Sequence, residues 1–343
     1  MKAMVIKKLG ALEQNPAPLL LADLPEPTPE QGEIVVEVLA CGVCHTELDE
    51  IEGRTPPPQL PIVPGHQVVG RVTALGPDVR AHGLGDRVGI AWFYSSCDSC
   101  RFCLEGNENL CESFQATGRD ANGGYAEYML VPEGAAFAVP EQFSDSEAAP
   151  LLCAGAIGYR ALRLTGLLDG RSLGLTGFGA SGHIVLKMVK RKFPSSPVFV
   201  FARSEKERAF AMELGADWAG DTRETAPQKL TCVIDTTPVW RPVVAALKNL
   251  EPGGRLVINA IRKEDVDKQE LLAIDYPEHL WLEKEIKTVA NISPRDVREF
   301  LKLAAEIGLR PEVQEYSLEE ANQALLELKQ RKIRGAKVLR LDA

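Results

Sequence analysis

The stretch Leu173–Gly182, LGLTGFGASG, places a G-x-G-x-x-G sequence between a short apolar run and an amphipathic segment. The run Leu173–Thr176 predicts a strand, and the spacing of apolar residues in His183–Lys190 predicts a helix. Glycines at such a junction permit a tight turn and let the backbone approach a pyrophosphate at the helix N-terminus. An ordinary glycine-rich turn is the alternative, but the strand-to-helix context favours dinucleotide binding. The predicted cofactor contacts are Gly177, Gly179, Ala180, Ser181 and Gly182.

The same alternation continues on the C-terminal side. Val198–Phe201 predicts a strand and Glu205–Leu214 a helix, and further strands are predicted at Cys232–Asp235 and Arg255–Asn259. Strand, helix and strand in this order imply right-handed crossovers and a parallel sheet, which extends to about residue 290. The chain is therefore predicted to contain an α/β domain with a doubly wound parallel sheet, of the Rossmann type.

The N-terminal part of the chain has a different pattern. Its short strand-like runs are separated by Pro/Gly turns, which predicts a barrel-like domain; the runs are Glu33–Leu39, Val68–Ala74, Arg87–Ala91 and Tyr125–Val131. Near the C-terminus, Ser317–Glu320 matches a capping box before a helix that buries Ala321, Leu325 and Leu328. A last strand, Lys337–Leu341, is predicted to rejoin the barrel. The predicted domains are 1–154 continued by 292–343, and 155–291.

The end of the second α/β strand decides which nicotinamide cofactor is favoured. An acidic residue there binds the adenosine ribose of NAD, whereas an arginine accommodates the 2′-phosphate of NADP. The strand Val198–Phe201 is followed by Ala202, Arg203 and Ser204, with no acid at its tip. A guanidinium and a hydroxyl suit a phosphate dianion, so Arg203 and Ser204 favour NADP. Glu205, displaced toward the helix, leaves NAD as the alternative.

Seven of the eight cysteines, with one histidine, fall into two groups or lie beside them. Cys97, Cys100, Cys103 and Cys111 follow each other as C-x2-C-x2-C-x7-C, a spacing that favours zinc over disulfides or an iron–sulfur cluster. Cys44, His66 and Cys153 are far apart in sequence, with Cys41 as a competing thiol. Four thiolates close a structural zinc site, and three protein ligands leave a catalytic zinc with an open position.

Composition excludes several other classes of function. The 343 residues carry a net charge of −9, which disfavours nucleic acid and anionic membranes as partners. No run approaches the ~20 apolar residues that cross a bilayer, and the N-terminus has no signal-peptide pattern. The expected location is cytoplasmic.

Three segments carry a resemblance to a known family: Gly42–Thr46, then Gly65-His66 with Gly70, Gly76 and Val79, and finally Leu152–Gly155. In this order, with a four-cysteine lobe between the second and third, the chain resembles the zinc-containing alcohol dehydrogenases of the medium-chain dehydrogenase/reductase family over essentially its whole length. The resemblance implies an α/β protein with a GroES-like β-barrel catalytic domain and a Rossmann cofactor domain.

The resemblance also implies roles for individual residues. Cys44, His66 and Cys153 correspond to ligands of a catalytic zinc, and the four-cysteine run to ligands of a structural zinc. Thr46 corresponds to the hydroxyl that receives the substrate proton, although it could instead cap the following helix. His45 corresponds to a pyrophosphate contact, with a solvated loop histidine as the alternative.

Several positions depart from the family pattern. Gln67 stands where many relatives have glutamate, and Asp49 stands where the proton relay ends in histidine; decoration of the helix surface is the favoured role for Asp49. Glu47 fits an acidic position that orients the metal site. Ala336 replaces an arginine that contacts the pyrophosphate. Arg334 is the predicted substitute, with Lys337 or a solvated basic tail as the alternatives.

The resemblance implies a zinc-dependent enzyme that transfers hydride between a small alcohol or aldehyde and NADP(H), with NAD(H) less favoured. Trp92 and Phe93 are predicted either to line the substrate cleft or to belong to the barrel core. Relatives imply a homo-oligomer, either dimer or tetramer. A zinc-free reductase, a polyol dehydrogenase and a non-catalytic cofactor-binding protein are the alternatives.

Overall fold

The computed structural model describes residues 1–332 and 334–341, so residues 333, 342 and 343 of the predicted first domain lie outside it. The chain forms two compact units. The first comprises Met1–Ala156, Ile292–Ala305 and Arg310–Ala343, and the second comprises Ile157–Asn291 and Glu306–Leu309. The first unit is discontinuous because the C-terminal segments return to it.

The strands of the described residues are, in chain order, β1 (Lys2–Ile6), β2 (Leu19–Asp23), β3 (Glu33–Val43), β4 (Val68–Leu75), β5 (Arg87–Ile90), β6 (Phe93–Ser95), β7 (Gln115–Ala116), β8 (Tyr128–Pro132), β9 (Ala136–Ala138), β10 (Leu173–Thr176), β11 (Val198–Phe201), β12 (Trp218–Gly220), β13 (Leu230–Asp235), β14 (Leu250–Ile258), β15 (Glu285–Thr288), β16 (Val313–Ser317) and β17 (Ala336–Arg340).

The α-helices are α1 (His45–Ile51), α2 (Arg101–Leu104), α3 (Asp145–Ala148), α4 (Ala154–Thr165), α5 (Ala180–Lys192), α6 (Glu205–Glu213), α7 (Arg241–Asn249), α8 (Pro294–Glu306) and α9 (Ala321–Lys329). Short 3₁₀ turns cover Glu108–Leu110, Glu133–Ala135, Ala149–Leu152, Lys268–Ala273 and Leu318–Glu320, and a π-helical turn covers Tyr276–Leu280. Among the described residues, no helix has the length and apolarity that crossing a membrane requires.

The second unit is built on a parallel sheet. Within the described residues its six strands follow the order β12-β11-β10-β13-β14-β15, and every neighbouring pair is parallel. The central strands β10 and β11 are buried along their whole length, as expected for a sheet covered on both faces. The predicted doubly wound α/β fold is confirmed.

One predicted boundary in this sheet is wrong. The strand expected to begin at Arg255, after the Pro252-Gly253-Gly254 turn, begins at Leu250. Leu230 pairs with Leu250 and Cys232 pairs with Arg255, so the intervening residues form an irregularity inside the strand rather than a turn before it. The pairing of Leu250 with Leu230, before Pro252, extends the strand despite the tendency of Pro and Gly to form a turn.

The first unit contains the barrel-like sheet. Within the described residues its strands follow the order β16-β17-β3-β4-β5-β9, and β8 also pairs with β3. The long strand β3 pairs antiparallel with the C-terminal strand β17, where Val338 lies opposite Gly42 and Leu339 opposite Cys41. The predicted return of the C-terminal strand to this unit is confirmed.

The predicted capping box at Ser317 is also present. The Ser317 backbone N–H donates to the Glu320 carboxylate at 2.7 Å, at the start of the turn that leads into α9. The helix α9 buries Ala321, Leu325 and Leu328 in the barrel core, as expected from their spacing.

Candidate metal centres and cofactor loop

The tertiary structure brings Cys44, His66 and Cys153 together. One ligand atom of each residue lies within 4.8 Å of the others, and we call this group the three-ligand cluster. The His66 Nε2 atom is 3.2 Å from the Cys153 Sγ atom, and the cluster lies entirely in the first unit. Cys41 is buried but is not part of the cluster; its thiol lies 3.7 Å from the Gly42 carbonyl oxygen.

Each ligand occupies a position fixed by the end of a regular element. Cys44 directly follows β3 and is the N-cap of α1, while Cys153 lies between a 3₁₀ turn and α4. His66 follows Gly65, whose φ of +101° disfavours any side chain. A Cβ atom at Gly65 would lie 2.4 Å from the ring of the buried Tyr125, so glycine is required for this approach.

Glu47 orients two of the three ligands. Its Oε2 atom accepts a hydrogen bond from the Cys44 backbone N–H at 2.7 Å, and its Oε1 atom lies 2.7 Å from the His66 Nδ1 atom. Both side chains of the Glu47–His66 pair are almost fully buried. Contact of Glu47 with Nδ1 leaves Nε2 directed toward the thiols, which is the usual arrangement of a carboxylate behind a metal-binding histidine.

The two thiols of the cluster do not titrate independently. A hydrogen bond from Cys153 lowers the pKa of Cys44 well below its usual value, and the same contact raises the pKa of Cys153. Burial opposes charge on His66, but the Glu47 carboxylate raises the pKa of the imidazole well above its usual value. A metal ion bound at these three ligands would displace the protons that they share.

The donor set fits a zinc ion. Two thiols and an imidazole are typical zinc ligands, and three protein ligands leave one coordination position for a further group. A tetrahedron around a zinc ion leaves neighbouring ligand atoms about 3–4 Å apart, and the 3.2 Å separation of Nε2 from Sγ agrees with this geometry.

A second cluster lies in the loop between β6 and β7. The sulfur atoms of Cys97, Cys100, Cys103 and Cys111, the four-cysteine cluster, all lie within 4.8 Å of one another. Cys97 is 3.5 Å from Cys111 and 3.9 Å from Cys103, and Cys100 is 3.5 Å from Cys103. Four sulfurs about 2.3 Å from one zinc ion stand about 3.8 Å apart, so these separations fit a closed zinc site.

Backbone donors favour the thiolate form of Cys97 and contact the sulfur of Cys111 in this cluster. The N–H groups of Ser99 and Cys100 lower the pKa of Cys97 to about 6. The Ser113 N–H donates to the Cys111 sulfur at 3.4 Å. Hydrogen bonds of this kind favour the deprotonated sulfur that binds metal.

Thr46 lies beside the three-ligand cluster. Its Oγ1 atom is 3.5 Å from the Cys44 sulfur, and the residue is 9% exposed. The N-cap of α1 is Cys44, so Thr46 lies inside the helix and the alternative role as a cap is excluded. His45 is exposed at the first position of the same helix, and its contact with a pyrophosphate stays a prediction.

The predicted surface role of Asp49 is wrong. Asp49 is 5% exposed, and its carboxylate accepts a hydrogen bond from the Arg54 side chain at 2.5 Å. The chain reverses direction after α1, and this turn places Arg54 next to Asp49. Burial is possible because the charge of Asp49 is compensated by this guanidinium.

The two aromatic residues after β5 separate into different environments. Phe93 packs into the barrel core, whereas the Trp92 ring meets the His66 ring edge-on at a centroid distance of 4.8 Å. Gln67 is buried, and its side chain covers Gly42 of β3. Trp92 therefore belongs to the surroundings of the three-ligand cluster, and Phe93 does not.

Sequence reasoning missed Glu50. This residue is 1% exposed, and among the described residues neither carboxylate oxygen has a hydrogen-bond partner. Burial, reinforced by the charge of Glu47, raises its pKa well above the usual value. The available signal was its position four residues after Thr46, which places both residues on one face of α1.

The glycine-rich loop of the second unit has the predicted conformation. Gly177 has a φ of +83°, and a Cβ atom there would lie 2.6 Å from the Thr236 hydroxyl. Gly179 is the N-cap of α5, and a Cβ atom there would meet no atom within 4 Å. Ala180, Ser181 and Gly182 form the first turn of α5, with their N–H groups at the positive end of the helix.

The predicted phosphate residues lie after the second strand of this sheet. Arg203 is exposed and lines a cavity of about 620 Å³, and Ser204 is the N-cap of α6. Arg223 and Arg241 line the same cavity and were missed, because they follow other strands and no motif marks them. Arg334 belongs to the first unit, where it lies exposed before β17.

Comparisons with known proteins agree with the fold. Residues 30–141 match the family described as "Alcohol dehydrogenase GroES-like domain". The chain is 39% identical to a probable alcohol dehydrogenase, AdhA, of Mycobacterium tuberculosis (strain CDC 1551 / Oshkosh), over 99% of this chain and 97% of that protein. An alcohol dehydrogenase of Geobacillus stearothermophilus is 33% identical, over 98% of this chain and 100% of that protein.

A solved structure shows the same fold over its whole length. It is titled as an NAD-dependent alcohol dehydrogenase, and it superimposes with a TM-score of 0.87 at 26% identity, covering 100% of both chains. With the glycine-rich loop, the barrel and the full-length similarity in agreement, the chain belongs to the alcohol dehydrogenases of the medium-chain dehydrogenase/reductase family.

Proposed function

We propose that the chain is a zinc-dependent alcohol dehydrogenase or aldehyde reductase that uses NADP(H) in preference to NAD(H). Its family makes the chain an NAD(P)-dependent oxidoreductase acting on alcohols. The observation that carries the proposal is the convergence of Cys44, His66 and Cys153, which supplies three ligands and leaves a fourth position for substrate oxygen.

A zinc ion bound at the three-ligand cluster supplies a Lewis acid that favours the alkoxide of an alcohol or polarises a carbonyl. The protein residues prepare this chemistry. Two thiolates balance the charge of the metal, and Glu47 fixes the orientation of the imidazole. The Trp92 ring packs against His66 and limits the access of water from that side.

Thr46 is proposed to accept the proton of the alcohol. Its hydroxyl lies beside Cys44, so it adjoins a substrate oxygen that occupies the fourth ligand position. A hydroxyl can accept one proton while it donates its own, which an apolar side chain of equal shape cannot do.

Replacing Thr46 with valine is expected to lower kcat by about 10²- to 10⁴-fold, because positioned proton transfer contributes this much. Thr46→Ser keeps the hydroxyl and should retain most of the activity. Zinc content and cofactor affinity, measured in parallel, should be unchanged in both variants. Equal activity of the valine and serine variants would contradict the proposed proton transfer.

The preference for NADP is supported by the exposed guanidinium of Arg203 at the tip of β11. No ion pair or hydrogen bond of its side chain is found among the described residues, so it is available to a phosphate. Glu205, in the first turn of α6, supports the alternative preference for NAD. The solved structure described as an NAD-dependent alcohol dehydrogenase has the same fold, which also supports this alternative.

Arg203→Ala is expected to raise the KM for NADP by about 10-fold or more and to leave the KM for NAD nearly unchanged, because hydrogen bonds to charged groups contribute about 1.5–3 kcal/mol. Steady-state oxidation of a panel of primary and secondary alcohols with both cofactors measures this effect and identifies the substrate class. A wild-type enzyme faster with NAD at subsaturating cofactor would contradict the preference.

A homo-oligomer is proposed from the edge strand β15. All four of its residues are exposed, and Trp281 and Leu282 beside it are 54% and 51% exposed. An antiparallel pair of two copies centred on Ile286 would place Glu285 opposite Lys287, so the strand is complementary to itself. Light scattering of the purified protein measures the oligomeric state.

The cytoplasmic location stays a prediction from the sequence.

A further inference from the structure

A cavity of about 620 Å³ lies in the second unit, beyond the carboxyl ends of β11 and its neighbour β12 and of β13, which is separated from β11 by β10. Its lining comes from the residues that follow β11, β12 and β13, and from the segment around Asp267. Ligands of open α/β sheets bind outside the carboxyl ends of the strands, and pockets for small molecules have volumes of about 300–1,000 Å³. Both the place and the size of the cavity suit part of a nucleotide.

Three arginines line this cavity: Arg203 after β11, Arg223 after β12 and Arg241 at the start of α7. Arg241 is already engaged, because its guanidinium donates to Glu270 at 2.5 Å and 2.9 Å. Among the described residues, the side chains of Arg203 and Arg223 have no ion pair or hydrogen bond. Two guanidinium groups are therefore available to a ligand.

The two acidic residues of the lining are engaged with protein groups. Asp267 accepts hydrogen bonds from the backbone N–H groups of Trp240 and Arg241, at 3.0 Å and 2.8 Å. Asp221 accepts a hydrogen bond from the Arg223 N–H at 3.1 Å, and its other oxygen lies 3.9 Å from the Arg208 guanidinium. These contacts stabilise the two carboxylates without removing their charge, and three arginines against two aspartates leave the lining with a net positive charge.

The rest of the lining is suited to an adenosine. Val239, Pro242 and Val266 offer apolar surface, and Thr222 offers a hydroxyl. A planar guanidinium binds phosphate oxygens through two parallel hydrogen bonds, and two such groups can bind one dianion from two sides. The combination of apolar surface with two free guanidinium groups matches an adenosine that carries a phosphate on its ribose.

We propose that Arg223 is a second phosphate-binding residue that acts together with Arg203, and that this cavity holds the adenosine 2′-phosphate end of NADP. The inference rests on the proposed use of NADP(H). It assigns a specificity role to a residue outside the strand tip from which cofactor preference is usually predicted. Arg223 lies 20 positions later in the chain and reaches the cavity because β11 and β12 are neighbouring parallel strands.

Binding of adenosine 2′,5′-bisphosphate and of adenosine 5′-monophosphate to the zinc-loaded protein tests the inference by calorimetry, without catalysis. The wild type should bind the bisphosphate more tightly. Arg223→Ala should weaken bisphosphate binding by about 10- to 100-fold and leave monophosphate binding nearly unchanged. Arg223→Lys should recover only part of the loss, because an ammonium lacks the bidentate geometry.

Arg191→Ala is the matched control, since Arg191 is an exposed arginine of the same unit that does not line the cavity and its removal changes the net charge equally. An Arg203→Ala/Arg223→Ala double variant should lose less affinity than the sum of the two single changes in free energy, because both side chains bind one phosphate.

The outcomes separate the inference from the proposed function. Equal affinity of the wild type for the two nucleotides would overturn the NADP preference itself. Preference of the wild type for the bisphosphate, with Arg223→Ala indistinguishable from Arg191→Ala, would overturn the role of Arg223 and leave the NADP preference standing.

Discussion

Cys153→Ala is expected to lower alcohol oxidation by at least ~10³-fold and to reduce the zinc content from two equivalents per chain to one. The thiol lies 3.2 Å from His66 and belongs to the three-ligand cluster. Its removal leaves two protein ligands, which hold zinc poorly, and the loss of a Lewis acid worth several kcal/mol accounts for the rate effect. Atomic absorption and steady-state kinetics measure both quantities.

Cys41→Ala is the control for this experiment. Cys41 is a buried thiol three residues before Cys44, and it was the competing ligand in the sequence. Its side chain is outside the three-ligand cluster, so the variant should retain both zinc equivalents and most of the activity. Loss of zinc from Cys41→Ala, or full zinc in Cys153→Ala, would contradict the proposed site.

Cys103→Ser is expected to remove the other zinc ion and to unfold the lobe between β6 and β7. The lobe has little core of its own: α2 contains no buried residue, and Leu104 and Leu110 are 75% and 42% exposed. Without apolar burial, the order of the lobe depends on the metal, as in other small metal-bound segments. Limited proteolysis should cut the variant within Cys97–Cys111.

The remainder of the protein should stay folded in this variant, because the buried residues of the barrel core come from outside the lobe, although the partly buried Phe114 of the lobe packs against them. We expect a fall in Tm of several degrees and the loss of one zinc equivalent. Cys232→Ser is the control, since Cys232 is a buried thiol in the second unit and lies outside both clusters. A Cys103→Ser variant that resists protease as the wild type does would show that the lobe is held by its own packing.

Local sequence patterns predicted the regular elements whose residues are all buried. The strand Val198–Phe201 is apolar throughout, Leu173–Thr176 is apolar apart from its final threonine, and both are buried along their whole length, so their composition identifies their limits. The capping box at Ser317 is equally local, because all its hydrogen bonds lie within four residues. The start of β14 was mistaken, because a pairing with Leu230 outweighs the turn signal of Pro252-Gly253-Gly254.

Whether a charged side chain is buried or exposed could not be predicted as well from the sequence. The sequence predicts a surface position for Asp49, because aspartate is mostly exposed in proteins. In the structure Asp49 is buried, and the Arg54 guanidinium compensates its charge. A surface position would likewise be expected for Glu50, but its carboxylate is buried without a hydrogen-bond partner among the described residues. Burial of a charged group depends on which partners the chain fold brings near, and the spacing of residues does not contain this information.

The sequence by itself determined the glycine-rich turn, the parallel sheet that carries it and the four-cysteine cluster, since each depends on residues that are close in the chain. Only the tertiary structure decided that Cys44, His66 and Cys153 meet while Cys41 stays outside, and that Arg223 shares a cavity with Arg203. The physical reason is the same in both cases. Neighbouring strand ends and turns bring together side chains that the chain itself separates by tens of residues, and their contacts follow from strand pairing and packing rather than from local spacing.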